Sequence, residues 1–219
     1  MKININNYDL FIFDWDGTLN SLGVLLNANE KIKKALKSIG ILKNKRYTKH
    51  VAVKSNFIDI RRAEFIKKEQ LKNKISSFAI DIFFIISKPK IHRDTILILK
   101  DLKQKNKKIV LFTNGGAYRI KKELQHFGLD IYFDLVVSAR TLGMLKPNPA
   151  GINIICSRMK IKKSRVLLIG DSLDDMISGK NAGIDICAIT DGFDSAAKLE
   201  NARPKYIFRS IEEFYKNIK

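Results

Sequence analysis

Asp9-Leu10-Phe11-Ile12-Phe13-Asp14-Trp15-Asp16-Gly17-Thr18-Leu19 is an apolar run that breaks into two acids one residue apart. Leu10 to Phe13 shows no polar alternation, so the pattern predicts a strand over 8–14 that is buried rather than half-solvated. Two carboxylates at the end of such a strand are costly unless something pairs with them. Oxygen ligands with no softer donor nearby suit a hard cation such as Mg2+.

Further along, strands and helices alternate. Thr95 to Lys105 is predicted as a helix. Lys108 to Phe112 reads as a buried strand that runs into Thr113-Asn114-Gly115-Gly116. A helix over Ala117 to Phe127 stops at Gly128, and Leu135 to Val137 suggests a strand. Asn148-Pro149 reads as a cap and first-turn proline for a helix to Met159. Arg165 to Ile169 is a strand ending in Gly170-Asp171-Ser172. A helix over Asp174 to Ala182, a strand over Ile184 to Ile189, a short strand at Tyr206 to Phe208 and a helix over Ile211 to Ile218 close the chain. This alternation predicts an α/β fold with a doubly wound parallel sheet. In such sheets ligands bind beyond the carboxyl ends of the strands. The polar clusters at 14–18, 113–116 and 170–175 each follow a strand directly, so they are expected to meet at one edge.

The residue types in those clusters suit phosphate chemistry. Asp14, Asp16 and Asp171 are oxygen ligands without His or Cys, which favours Mg2+ over Zn2+. A carboxylate can attack phosphorus. Thr113 and Asn114 offer a hydroxyl, an amide and backbone N–H groups at a helix start, where a phosphate binds well. Lys146, in the proline-stiffened Lys146-Pro147-Asn148-Pro149, can offset crowded carboxylates and the charge of a transferring phosphoryl group. Asp16 could instead be a turn residue, Asn114 part of a turn, and Lys146 a surface lysine. Trp15 is expected to pack locally. His50, His92 and His126 have no motif around them.

Taken in order, four motifs resemble those of the haloacid dehalogenase (HAD) superfamily of phosphohydrolases, in particular its phosphoglycolate phosphatase-like members. Asp14-Trp15-Asp16-Gly17-Thr18-Leu19 resembles the first motif and Thr113-Asn114-Gly115 the second. Lys146 with Pro147-Asn148-Pro149 resembles the third, and Gly170-Asp171-Ser172-Leu173-Asp174-Asp175 the fourth. The resemblance implies a Rossmann-like core with Asp14 as nucleophile, forming an aspartyl-phosphate, and Asp16 as general acid and then base. It implies Mg2+ held by Asp14, the backbone carbonyl of Asp16, and Asp171, with Asp175 acting on the metal through the outer shell. Thr113 and Asn114 would hold the phosphoryl group, and Lys146 would bridge phosphate and nucleophile. Asp174 is expected to be a first-turn acid rather than a ligand.

The resemblance also divides the chain into a catalytic core, 1–19 and 91–219, and an inserted small helical cap, 20–90. In the insertion, residues 27–39 and 56–87 read as helical. Asn20-Ser21 stands where the family usually has an acid-serine pair, which removes one expected substrate contact. The chain has a net charge of +19, and residues 20–90 hold 17 Lys and Arg against 5 Asp and Glu, a net of +12. This is either compositional bias or steering of an anionic partner, and Arg61-Arg62 is a candidate anion contact. The expected partner is a small phosphorylated metabolite, not a membrane, and nucleic acid is the lesser expectation. No stretch is apolar enough to span a bilayer, no signal peptide is expected, and Cys156 and Cys187 fit a reducing cytoplasm.

The expected activity is therefore a Mg2+-dependent phosphatase acting on a small phosphomonoester. The alternatives are a phosphomutase of sugar phosphates, a phosphonatase using a cap lysine, and a protein that uses its basic cap to hold nucleic acid or an acidic partner. Asp16 argues against a dehalogenase, because that branch of the family lacks the second acid.

Overall fold

The computed structural model describes residues 2–21 and 90–218. The expectations on helices 27–39 and 56–87, on Arg61, Arg62 and His50, and on nearly all of the 20–90 insertion fall outside the described residues.

Six strands form one parallel sheet in the order β5-β4-β1-β6-β7-β8. They are β1 (Leu10–Phe13), β4 (Lys108–Thr113), β5 (Leu135–Ser138), β6 (Val166–Gly170), β7 (Asp185–Ile189) and β8 (Tyr206–Phe208). Two-residue strands β2 (Asn20–Ser21) and β3 (Lys90–Ile91) pair antiparallel beside the sheet, with Asn20 opposite Ile91 and Ser21 opposite Lys90. The helices are α1 (Thr95–Gln104), α2 (Ala117–Phe127), α3 (Ala139–Leu142), α4 (Ala150–Met159), α5 (Leu173–Ala182), α6 (Ala196–Asn201) and α7 (Ile211–Asn217). Among the described residues no helix is long and apolar enough to cross a membrane.

Strand β1 is unbroken in its apolar run because both faces of the sheet are covered. Phe11 and Phe13 pack into one core cluster with Ile109 and Leu111 of β4, while Leu10 and Ile12 pack into the other with Val110 and Phe112. This is the two-residue period of a strand buried on both sides. Burying each of these side chains contributes roughly 1.5–3 kcal/mol.

The chain runs from β1 outward through β4 and β5, then returns to the other side of β1 as β6, β7 and β8. The order therefore reverses at β1, and the crevice beyond its carboxyl end is where such a sheet binds ligands.

Strand β1 is shorter than the expected 8–14: Tyr8, Asp9 and Asp14 fall outside it, although Asp9 still exchanges backbone hydrogen bonds with Arg165 and Lys108. Tyr8 turns its hydroxyl to Asp185 and Tyr206, while Asp9 pairs with Arg165. The helix expected to begin at Asn148-Pro149 starts at Ala150. Pro149 occupies the N-cap position without capping, and the Asn148 side-chain oxygen accepts from Ala150 N at 2.9 Å. Both cysteines are buried and free.

Candidate active site

Asp14 leaves the end of β1 with its backbone N–H donating to the Ile169 carbonyl at 2.9 Å. Its carboxylate is almost fully buried, and Lys146 Nζ lies 2.8 Å from its Oδ1. That contact is an ion pair outside hydrogen-bond geometry, so Oδ1 has no hydrogen-bond partner among the described residues. Lys146 also donates to Asp175 Oδ1 at 2.6 Å and to the Phe112 carbonyl at 3.1 Å. Burial disfavours the lysine's charge, but Asp14 and Asp175 outweigh it and hold the ammonium protonated. The sequence-predicted surface alternative for Lys146 is thereby excluded, because the side chain is 2% exposed.

Asp171 follows β6. Its Oδ1 accepts from the Thr18 hydroxyl and its Oδ2 from Phe193 N, both at 2.7 Å. Its carboxylate lies so close to the backbone of Gly17 and Gly192 that a Cβ at either would collide with it. Gly17 has φ +86°, so this turn requires glycine on both counts. Asp175 opens α5 as half of a capping box. Its Oδ2 accepts from Ser172 N at 3.1 Å, and its side chain ties back to the Ser172 hydroxyl. With Oδ1 given to Lys146, Asp175 is the most committed of these acids. Asp174 sits beside it in the first turn and is not among the acids that gather at the centre.

Oxygen atoms of Asp14, Asp171 and Asp175 lie within 4.8 Å of one another. Burial pushes the Asp14 carboxyl up to about 7; Lys146 opposes this, and the charges of Asp175 and Asp16 reinforce it. Asp171 is also pushed well up, first by burial and then by Asp14 and Asp175. Three buried carboxylates against one ammonium leave an excess of negative charge that a hard divalent cation would neutralise. The all-oxygen donor set of the three gathered carboxylates fits Mg2+. Asp14 and Asp171 would hold it, with Asp175 steadying Lys146 beside it.

The motif-two loop is held by Ser138 Oγ, which donates to the Gly115 carbonyl at 2.7 Å. Thr113 is buried at the end of β4, and its hydroxyl accepts from Gly115 N at 3.0 Å. Asn114 braces the neighbouring lysine loop. Its side chain bonds the backbone of Lys146 at both ends, Oδ1 accepting from Lys146 N at 2.9 Å and Nδ2 donating to the Lys146 carbonyl at 3.3 Å. The amide thus clamps the lysine loop, whose Lys146-Pro147 bond is cis, rather than facing a ligand. Helix α2 begins just beyond, at Gly116, with no side-chain cap and no acid in its first turn. Its free N-terminal end suits an anion.

The Asp16 carboxylate stands apart from the three central acids. Both its oxygens face the Arg119 guanidinium in a two-pronged pair. Arg119 also donates to Glu123 Oε1 at 3.0 Å, and Glu123 is fully buried. Trp15, fully buried as well, donates its indole N–H to Glu123 Oε2. Trp15 therefore packs locally, as expected, and also makes a buried polar contact. Arg119 and Glu123 were not legible as site residues. The available signal was an acid on the buried stripe of α2, formed by Ala117, Ile120 and Leu124.

A switch-point crevice lined by strand-end acids and one buried lysine defines the class: a doubly wound parallel α/β core with an acidic centre at its switch point. Residues 11–189 match the family described as Haloacid dehalogenase-like hydrolase, and the chain belongs to that family. Among curated relatives, the Phosphoglycolate phosphatase of Pasteurella multocida (strain Pm70) is 28% identical over 110 residues, covering 50% of this chain and 49% of that protein. The chain thus matches about half the length of the curated relatives it resembles. A haloacid dehalogenase-like family hydrolase from Streptococcus pneumoniae aligns over 96% of this chain and 98% of its own, at TM-score 0.65 and 18% identity. A protein from Thermotoga maritima, provisionally named a beta-phosphoglucomutase, aligns over 95% and 97% at TM-score 0.68 and 18% identity. At these identities the two structures establish the shared fold.

Proposed function

We propose that the protein is a divalent-metal-dependent phosphatase that hydrolyses a small phosphomonoester through a phosphorylated Asp14. The observation that supports this most is the Lys146 ammonium lodged between Asp14 and Asp175, with Asp171 close by. It places one nucleophilic oxygen beside a fixed cation at the sheet's switch point. A bound Mg2+ would stabilise negative charge on the transferring group. Asp14 attacks phosphorus, and Lys146 offsets charge on the phosphoryl oxygens. Thr113 and the backbone at Asn114, at the open end of α2, orient the phosphoryl group. Asp16 gives a proton to the leaving oxygen and later takes one from water. The central acids are buried, so water competes poorly for them before substrate arrives.

The relatives named phosphoglycolate phosphatase favour a small anionic ester as substrate. The two reduced, buried cysteines favour a reducing compartment. Purified protein is assayed with 4-nitrophenyl phosphate and a panel of phosphorylated metabolites, with and without Mg2+. Metal-dependent release of inorganic phosphate, abolished in Asp14→Asn, is expected. Conversion of a hexose phosphate to its isomer with little free phosphate would transfer the protein to the mutases. No turnover on any ester would refute both.

A further inference from the structure

The Asp16 carboxylate is held by a contact chain that the four motifs do not contain. Arg119 Nη1 donates to Asp16 Oδ1 at 2.8 Å, and Nη2 donates to Oδ2. A two-pronged guanidinium–carboxylate pair fixes the carboxylate plane as well as its distance. Arg119 is itself immobilised. Nη1 also donates to Glu123 Oε1 one turn further along α2. Glu123 is fully buried and accepts from the Trp15 indole and, at 3.4 Å, from Asn20 Nδ2. Trp15 and Asn20 flank Asp16 on its own chain, so the contacts close a ring: motif one to α2 and back. Space for the guanidinium comes from Gly115 in the phosphate loop. A Cβ there would sit 2.7 Å from Arg119 Nη2 and 3.2 Å from Thr113 Oγ1. Burial disfavours the guanidinium's charge, and Asp16 and Glu123 more than restore it.

An acid buried on a core-facing helix stripe is expensive, and a packed apolar residue of similar size would stabilise the helix at least as well. Its place beside an arginine that grips Asp16 serves the geometry of that carboxylate. We propose that Arg119, braced by Glu123, is a positioning residue that sets the Asp16 carboxyl toward the leaving-group oxygen of the ester. The role rests on the phosphatase reading above. Arg119 acts through Asp16 and touches neither phosphorus nor metal. For the transfer one prong releases; the freed Asp16 oxygen takes a proton from solvent and passes it to the leaving oxygen of the ester, while the other oxygen stays on Arg119.

The test uses leaving-group dependence. Esters with a poor, alkoxide leaving group need a well-placed acid, whereas 4-nitrophenolate leaves with little help. Wild type, Arg119→Lys and Arg119→Gln are compared by kcat/KM on 4-nitrophenyl phosphate and on an alkyl phosphate that the wild type hydrolyses. Arg119→Gln is expected to lose about 10- to 100-fold more on the alkyl ester than on the aryl ester. Arg119→Lys, which keeps the charge but not the fork, should show the same bias more weakly. The double variant Arg119→Met/Glu123→Gln removes both charges together, so it leaves no uncompensated buried acid if the single variants fold poorly. It should show the full alkyl bias. Equal losses on both esters in the folded variants would reduce Arg119 to a structural role and overturn the proposal. Wild-type protein inactive on both esters would instead defeat the phosphatase reading, and this inference with it.

Discussion

Without metal, the protein should become less stable as the solution is made more alkaline, and Asp14 should carry a definable part of that loss. Its carboxyl is raised from 3.8 to about 7 in the folded protein. The native state therefore keeps a proton that the unfolded chain has already released. For a group shifted in this direction, the stabilisation is complete below the unfolded value and is lost as pH rises through the folded one. Between pH 5 and pH 8 the loss amounts to roughly 2–3 kcal/mol, steepest in the lower part of that window, where about one proton per molecule separates the two states. Asp171 shifts in the same direction and adds to the slope. The perturbation is Asp14→Asn, which keeps the shape and removes the titration. Urea unfolding in EDTA at several pH values, followed by circular dichroism, gives the stability at each. The wild type should lose stability over this window, and Asp14→Asn should lose about one proton's worth less. An Asp14→Asn slope as steep as the wild type's would refute the assignment. Stability rising from pH 5 to pH 8 in the metal-free wild type would refute the crowding argument altogether.

Added Mg2+ should reverse that loss, raising stability by about 2.7 kcal/mol when present at a hundred times its dissociation constant; the gain, read by thermal melts, should vanish in Asp171→Asn. Lys146→Met removes the cation between Asp14 and Asp175, and breaking a buried pair in this way costs about 3–5 kcal/mol; urea unfolding at pH 8 checks the size, and the deficit should shrink at pH 5 as Asp14 takes a proton. Gly151→Ala places a methyl against the Phe112 ring, and the overpacking should cost about 1–3 kcal/mol by the same measurement. Trp15→Phe leaves Glu123 without its indole donor and should cost about 1–3 kcal/mol, where no change would show that the contact contributes nothing.

Most of the sheet was legible because its strands are buried on both faces. The strands expected at Lys108–Phe112 and Arg165–Ile169 are found at Lys108–Thr113 and Val166–Gly170, each a mostly apolar run followed by its polar cluster. Helix α2 matched its expected bounds because Gly128, in the left-handed region at φ 64°, ends it sharply. The short helices α3 and α6 were missed, being too brief to display a 3.6-residue period. The β2–β3 pair is two residues long and joins positions 69 and 71 apart, so no local pattern announces it. Asn114, Arg119 and Glu123 illustrate a different limit. Asn114 belongs to a recognisable motif, yet its amide is spent on the Lys146 backbone, a partner set only by folding. Arg119 is one of 41 Lys and Arg, so its charge gave no contrast against the background.

The two-residue pair of β2 and β3 has a wider consequence. Asn20 opposite Ile91 and Ser21 opposite Lys90 bring the two described segments of the chain together in one narrow seam. The seam is a separate two-stranded sheet, and the six strands of the main sheet all come from outside residues 22–89. Replacing residues 22–89 with a linker of about six residues would lower the loop-closure cost by roughly 2 kcal/mol and leave every ladder of the sheet in place. If the ladders survive that exchange, the seam is a socket that accepts segments of different length and charge. Chemistry and selectivity can thus diverge on separate schedules within one chain.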